Sequence, residues 1–350
     1  MNKRMNLQRA YSAILAVLLV SGVGVQDVFG QKSDRAGTAG AYELLIPSTG
    51  RNVALGNNTT SGLSTMNGLE ALYANPAGLA VNTGTAAMFS RMSYVADIGV
   101  NYFGIAQNFG SNNIAFTITN WDFGDIPEQT EIAPQVSNVT WTASYLTAGL
   151  SFARQLTDRI SAGATVKAVN ESIADAKATA IAFDAGMTYV VGETGLRMGV
   201  ALKNIGNEIQ FQGDGLIRSV LLTDQEVGSV NNGLAIESEA VQLPSLLNFG
   251  VAYTRSLGAQ GSVSFLGNFR SNSFDQDQFS GGVELGFQDL VYVRGGYQLQ
   301  SDSDLTFFQG ATFGAGLNAN LGSSRFTVDY AYVPTDFFDA VQVITASVVL

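Results

Sequence analysis

Few residues of this chain are equipped for chemistry, and all of them work through oxygen or basic nitrogen. The sequence contains no Cys and no His, which removes thiol nucleophiles, disulfide frameworks, zinc fingers and Ser-His-Asp triads. Lys167, Asp329 and Arg325 fall on polar faces of alternating stretches and offer an acid/base pair or a Ser-Lys dyad at most. Charges of this kind inside a barrel more often pair with one another to fill the pore. Asp302-Ser303-Asp304 and Asp275-Gln276-Asp277 present oxygens for calcium, but neither completes a binding loop. Gly314-Ala315-Gly316-Leu317-Asn318-Ala319 has glycine spacing like that of a dinucleotide turn, yet no helix or βαβ unit follows it. No catalytic residue, cofactor or metal ligand set is assigned. The expectation is a non-enzymatic protein.

The elements that would carry these residues are constrained by composition. Of 350 residues only 13% are charged, with 39 Gly and 6 Pro and a mean hydropathy of +0.16, whereas about 25% charge is usual in soluble domains. The net charge of −11 argues against nucleic acid, which needs a basic surface. Lys3, Arg4 and Arg9 precede an apolar run over 13–20, and Val28-Phe29-Gly30 supplies a cleavage site. Residues 1–30 therefore read as a signal peptide. Lys3, Arg4 and Arg9 against Asp27 carry a net +2, leaving −13 on the mature chain. No later segment has the roughly 18 apolar residues of a spanning helix. An exported, weakly charged chain of this kind must enter a membrane as a barrel.

From residue 84 onward, apolar and polar residues alternate with period 2. Phe326, Val328, Tyr330 and Tyr332 oppose Arg325, Thr327 and Asp329; Val263, Phe265 and Phe269 oppose Ser262, Ser264, Asn268 and Arg270. A soluble β-sandwich would alternate in the same way, but strand length and connections separate the two classes. About 14 strands are expected, each near the 9–11 residues of a tilted membrane strand. Their connections sort by parity. Tight turns fall at 110–112, 155–158, 192–194, 288–289 and 321–323, while 124–140, 205–243 and 271–278 are longer and mostly acidic. Short turns on one side and loops on the other mark an outer-membrane barrel, and an even strand count leaves both termini periplasmic. The fold class is thus all-β, a transmembrane antiparallel barrel over 84–350. Aromatics near strand ends, such as Tyr102, Trp121, Trp141, Tyr253 and Tyr292, suit the interfacial girdles.

Between signal and barrel lies a Gly-rich stretch, 31–83, too polar to pack alone. It ends in Leu69-Glu70-Ala71-Leu72-Tyr73-Ala74-Asn75-Pro76-Ala77-Gly78-Leu79-Ala80. The spacing of Leu69, Leu72 and Tyr73 predicts one amphipathic helical turn, and Pro76 drives Asn75 out of helical geometry. The segment is read as a plug folded into the barrel mouth, with Asn75, Pro76, Ala77, Gly78 and Leu79 as its motif. In the long loop, Phe211, Leu216, Ile217, Val220, Leu221 and Leu222 form a candidate partner-binding surface among acidic residues. A solvated loop folded over the mouth is the alternative.

The stretch 51–80, with its Asn75-Pro76-Ala77-Gly78-Leu79 ending, resembles the N-terminal signature of the PorV/PorQ family, which is related to FadL-type outer-membrane barrels. Gly199-Val200-Ala201-Leu202-Lys203-Asn204-Ile205-Gly206, Leu243-Pro244-Ser245, Arg294-Gly295-Gly296-Tyr297 and Asp329-Tyr330-Ala331-Tyr332 resemble its later blocks, in order. This resemblance implies a 14-stranded barrel in the outer membrane with an inward-folded N-terminal segment. It also implies a role in type IX secretion, binding secreted cargo proteins beside translocon subunits and passing them to an attachment complex at the surface. FadL-like relatives instead admit hydrophobic small molecules, and the Asn-Pro-Ala segment fits both branches. The expected partners are outer-membrane lipids and secreted proteins; a scaffold for other envelope proteins is a third reading. Two departures stand out: the chain ends in Val348-Val349-Leu350 without the common terminal aromatic, and the 205–243 loop is long and variable-looking, so cargo specificity does not carry over residue by residue.

Overall fold

A computed structural model of the chain describes residues 35–128, 139–220, 232–300, 310–336 and 338–350. The signal peptide expected over 1–30 lies outside the described residues. The strands are β1 (Thr85–Ser93), β2 (Gly99–Phe109), β3 (Asn112–Pro127), β4 (Thr140–Gln155), β5 (Ile160–Ile173), β6 (Ala176–Val191), β7 (Leu196–Gly206), β8 (Ile217–Val220), β9 (Asn232–Ala235), β10 (Leu246–Ser256), β11 (Gly261–Asn272), β12 (Gln278–Phe287), β13 (Val291–Gln300), β14 (Gly310–Leu321), β15 (Ser324–Val333) and β16 (Val341–Val349). All but β8 and β9 form one closed antiparallel barrel of 14 strands, sealed where β1 pairs with β16. No helix among the described residues is long and apolar enough to cross a membrane.

The alternation works as the period-2 pattern predicts, with the usual burial inverted. On β6, Ile181 and Phe183 are exposed on the outer face while Ala178, Ala180, Ala182 and Asp184 point into the lumen and are buried. A wall with large apolar side chains outside and small or polar ones inside suits a hydrocarbon solvent around it. The tight turns at 110–111, 156–159, 192–195, 288–290 and 322–323 share one end with Thr85 and Val349, as the parity of the connections requires. Two details depart from the alternation. β3 runs on to Pro127 beyond a register shift between Asp122 and Asp125, and β8 pairs with β9 as a separate hairpin inside the long loop.

Residues 41–82 fill the lumen. They comprise short helices at Gly50–Ala54 and Gly68–Leu72 and 3-10 turns at Tyr42–Leu45 and Pro76–Val81. None is long enough to be stable alone, so the wall must hold them. Apolar anchors Val53, Leu55, Leu63, Leu69 and Leu79 are almost fully buried. Polar pins fix the segment to the closing seam: Gly50 N donates to Thr345 Oγ1 at 2.8 Å, Ser90 Oγ donates to the Ser48 carbonyl at 2.7 Å, and Asn67 Nδ2 donates to Ser347 Oγ at 3.2 Å.

Candidate plug-lumen site

The Gly68–Leu72 helix begins with a capping box, in which Asn67 Oδ1 accepts from Glu70 N at 2.9 Å and Asn67 N donates to Glu70 Oε2 at 3.2 Å. That box orients Glu70 toward Arg51 of the preceding helix, whose Nη1 meets Glu70 Oε2 at 3.0 Å and whose Nη2 meets Glu284 Oε1 on β12 at 2.8 Å. Arg294 on β13 continues the chain of charges, pairing with Glu284 at 2.6 Å and with Asp329 on β15. Glu284 and Arg294 are directly opposed in register. Asp329 lies two strands further on, and Arg294 reaches it across β14 because Gly316 has no Cβ to obstruct the two side chains.

Every member of this ladder is buried. Charges removed from water need partners of opposite sign. Burial disfavours the Arg51 cation, but Glu284 and Glu70 more than offset it and hold its pKa above the ordinary value. Burial pushes Glu70 up to about 7, against the pull of Arg51. Three carboxyls face two guanidinium groups, one negative charge in excess when all are ionised.

The Asn-Pro motif is seated on the opposite wall. Asn75 caps the Pro76–Val81 turn by accepting from Ala77 N at 3.0 Å, and Pro76 takes the first turn position, where a missing N–H costs nothing. The same carboxamide donates from Nδ2 to the carbonyls of Thr60 at 2.9 Å, Met187 at 3.1 Å and Val200 at 3.2 Å. Met187 and Val200 are strand carbonyls of β6 and β7, so one side chain ties plug to wall. Close approach is permitted by glycine on the inner face: a Cβ at Gly163 would lie 2.5 Å from the Pro76 carbonyl carbon, and one at Gly250 2.8 Å from Ser61 N. All five motif residues, Asn75, Pro76, Ala77, Gly78 and Leu79, are buried in this seat.

Above the seat, towards the long-loop end, lies a cavity of about 80 Å³. Leu72, Tyr73, Tyr102 and Trp121 give it an apolar wall; Thr117, Thr147, Ser151 and Thr165 give it a hydroxyl wall. Lys167, Asp184 and Lys203 close one side, at a bulge where β6 and β7 slip register between Phe183 and Ala185. Lys167 pairs with Asp184 at 2.8 Å, while Lys203 donates to the Tyr73 carbonyl at 2.7 Å and lies 3.9 Å over the Tyr73 ring. On the short-turn side of the plug are two polar vestibules of about 530 and 410 Å³, separated from the cavity by the plug.

Of the charged residues picked out on inward faces, Lys167 and Asp329 lie in the lumen. Arg325 shares their inward phase at the short-turn rim of β15, where it lines the smaller vestibule and is exposed. Arg51, Glu70, Glu284 and Arg294 were not assigned a role by sequence, although Glu284 and Arg294 do sit on the polar phase of their strands. Gly314 and Gly316, in the dinucleotide-like stretch, belong to β14 and make room for Ala54 and for the ladder. Asp275 and Asp277 accept backbone N–H groups of Gln276 and Asn272 in a local turn; Asp302-Ser303-Asp304 lies outside the described residues.

The candidate loop surface is divided. Phe211 is half-buried against Ala41, Leu44, Ile209 and Leu243, and the loop base is pinned by bridges from Lys177 to Gln212 and from Ile209 to Val241. Leu216 is half-buried and Ile217 exposed. Val220 ends β8, and Leu221 and Leu222 lie outside the described residues.

No family model matches the chain, and no curated protein matches it. Among solved structures it is similar to the Pseudomonas putida toluene transporter TodX, with 12% identity and a TM-score of 0.53, over 85% of this chain and 96% of that one. A TodX deltaS2 mutant, described as a monoaromatic hydrocarbon channel, matches with 12% identity and a TM-score of 0.52 over 86% and 97%. At that identity the likeness is one of fold alone, and this chain's part in it is a closed antiparallel barrel of 14 strands.

Proposed function

We propose that this protein is an outer-membrane channel for small, largely apolar molecules, non-enzymatic, with its N-terminal segment as the gate and both termini in the periplasm. The observation that carries the reading is the partly aromatic cavity on the long-loop side of the plug, with two polar vestibules on its short-turn side. A solute entering from the long-loop side would rest against Tyr102 and Trp121 and pass when the plug shifts. The TodX structures, described as a toluene transporter and a monoaromatic hydrocarbon channel, fit a cavity of this character. Reconstitution into liposomes tests it: uptake of a radiolabelled monoaromatic should exceed that of protein-free vesicles, and equal rates would refute the channel.

Secretion-linked cargo binding, which the PorV/PorQ resemblance implies, has one feature in its favour. The β8–β9 hairpin offers exposed Ile217 and Leu234, with Ile236 just beyond it, as an apolar contact for secreted proteins or attachment-complex subunits. Deleting residues 214–236 separates the two readings, because solute uptake should survive it and cargo capture should not.

A further inference from the structure

At the upper end of the cavity two carboxyl groups face each other without a cation. Glu43, on the Tyr42–Leu45 turn, lines the cavity at 8% exposure, and Glu171 on β5 is 5% exposed. The two carboxyls lie within electrostatic reach of each other, and Glu43 Oε1 is buried with no hydrogen-bond partner. The two lysines of the cavity wall are committed elsewhere: Lys167 to Asp184, and Lys203 to the Tyr73 carbonyl. A buried carboxylate without donor or counter-charge is costly, so the unpartnered oxygen marks a position a donor would fill.

Its surroundings say what kind of donor. Trp121 shares the cavity wall with Glu43, and Tyr145 lies within electrostatic reach of both carboxyls. Carboxylates beside aromatic faces suit organic ammonium groups, which combine charge-assisted hydrogen bonds with cation–π attraction. A bare divalent ion would want six or more oxygens, and no cluster of three or more potential metal ligands of the Asp, Glu, His and Cys types occurs among the described residues.

We propose that Glu43, with Glu171 behind it, is a recognition site for an organic ammonium group, so that the cavity takes amines bearing an aromatic or alkyl body. The proposal rests on the channel reading for how the ligand arrives, and not for whether it binds. Burial, then Glu171, pushes the Glu43 carboxyl up to about 8.

The test uses the full mature chain in detergent, with Trp141→Phe so that Trp121 is the remaining tryptophan. Phenethylamine, a protonated amine at pH 7.5, and 2-phenylethanol, its neutral counterpart, are titrated by fluorescence quenching and calorimetry. Phenethylamine should bind about tenfold more tightly, and Glu43→Gln should abolish that preference, as expected for loss of one charge-assisted bond. Glu171→Gln serves as the second variant should Glu43→Gln fail to fold, and should weaken the preference in the same direction. Equal affinity for the two probes, or a preference that survives both substitutions, would overturn the assignment. Binding without liposome uptake would uphold the ammonium site and refute the channel; uptake of both probes with no preference in binding would do the reverse.

Discussion

Arg51 in the plug and Glu284 on β12 meet at 2.8 Å with 3% and 1% of their side chains exposed, although 233 residues separate them in sequence. Arg51 also holds Glu70, so it is the joint between plug and wall. Replacing it with Met should cost about 3–5 kcal/mol, because two carboxyls would lose their shared buried partner. The loss should appear as release of the plug with the barrel intact. Planar-bilayer recordings would show larger or more frequent openings in Arg51→Met, and unchanged conductance would refute the joint.

Asn75 is a different kind of fastening, donating and accepting at once. Asn75→Ala removes contacts to the Thr60, Met187 and Val200 carbonyls and should cost about 1–3 kcal/mol. Asn75→Asp should be worse, since it would aim a carboxylate at strand carbonyls. Hydrogen exchange of 76–81 should accelerate in the order wild type, Ala, Asp; an Asp variant as protected as wild type would contradict the assignment.

Seating on glycine gives a steric prediction. Gly163→Leu would drive a side chain into the Pro76 backbone, which cannot yield as a flexible side chain could, and overpacking costs about 1–3 kcal/mol or more. Gly267, with nothing within 4 Å of an added Cβ, is the control, and Gly267→Ala should behave as wild type. Protease added from the short-turn side should cut 61–82 faster in Gly163→Leu alone.

Glu43 supplies the pH dependence. Its carboxyl is raised from 4.5 to about 8 by burial and then by Glu171, so the docked Tyr42–Leu45 turn keeps a proton that the released turn loses. Below 4.5 both forms are protonated and docking is strongest. As pH rises from 4.5 to about 8 docking weakens, and above that it levels off. Thermal release of the plug, followed by Trp121 fluorescence, should occur at lower temperature at pH 8 than at pH 5. Glu43→Gln should flatten this difference.

The barrel was legible because its information is local. Alternation such as Phe326, Val328 and Tyr330 against Thr327 and Asp329 fixes a strand and its faces with no knowledge of its neighbours, and turn length fixes which end is which. The Gly68–Leu72 helix and the break at Asn75 were legible for the same reason. The ladder was not. Whether Arg51 meets Glu284, or Arg294 reaches Asp329, depends on the register of β12 to β15 and on the missing Cβ of Gly316, which only the closed structure determines. Glu43 reads as a surface acid in sequence, since nothing around it signals that Glu171 lies opposite. The slip between β6 and β7 that places Lys203 and Asn204 both inward likewise breaks the pattern by which inward residues are recognised.

The pins from Ser48 and Gly50 to Ser90 and Thr345 bear on how the molecule is built. β1 and β16 are the first and last strands made, and the pocketed segment precedes both. Its backbone occupies space that the wall's glycines leave empty, and its polar groups bind the two strands that must find each other last. Closure of the cylinder is thereby linked to correct loading of its contents. A cylinder sealed without this segment would forgo those hydrogen bonds and leave the space beside the inner-face glycines unfilled.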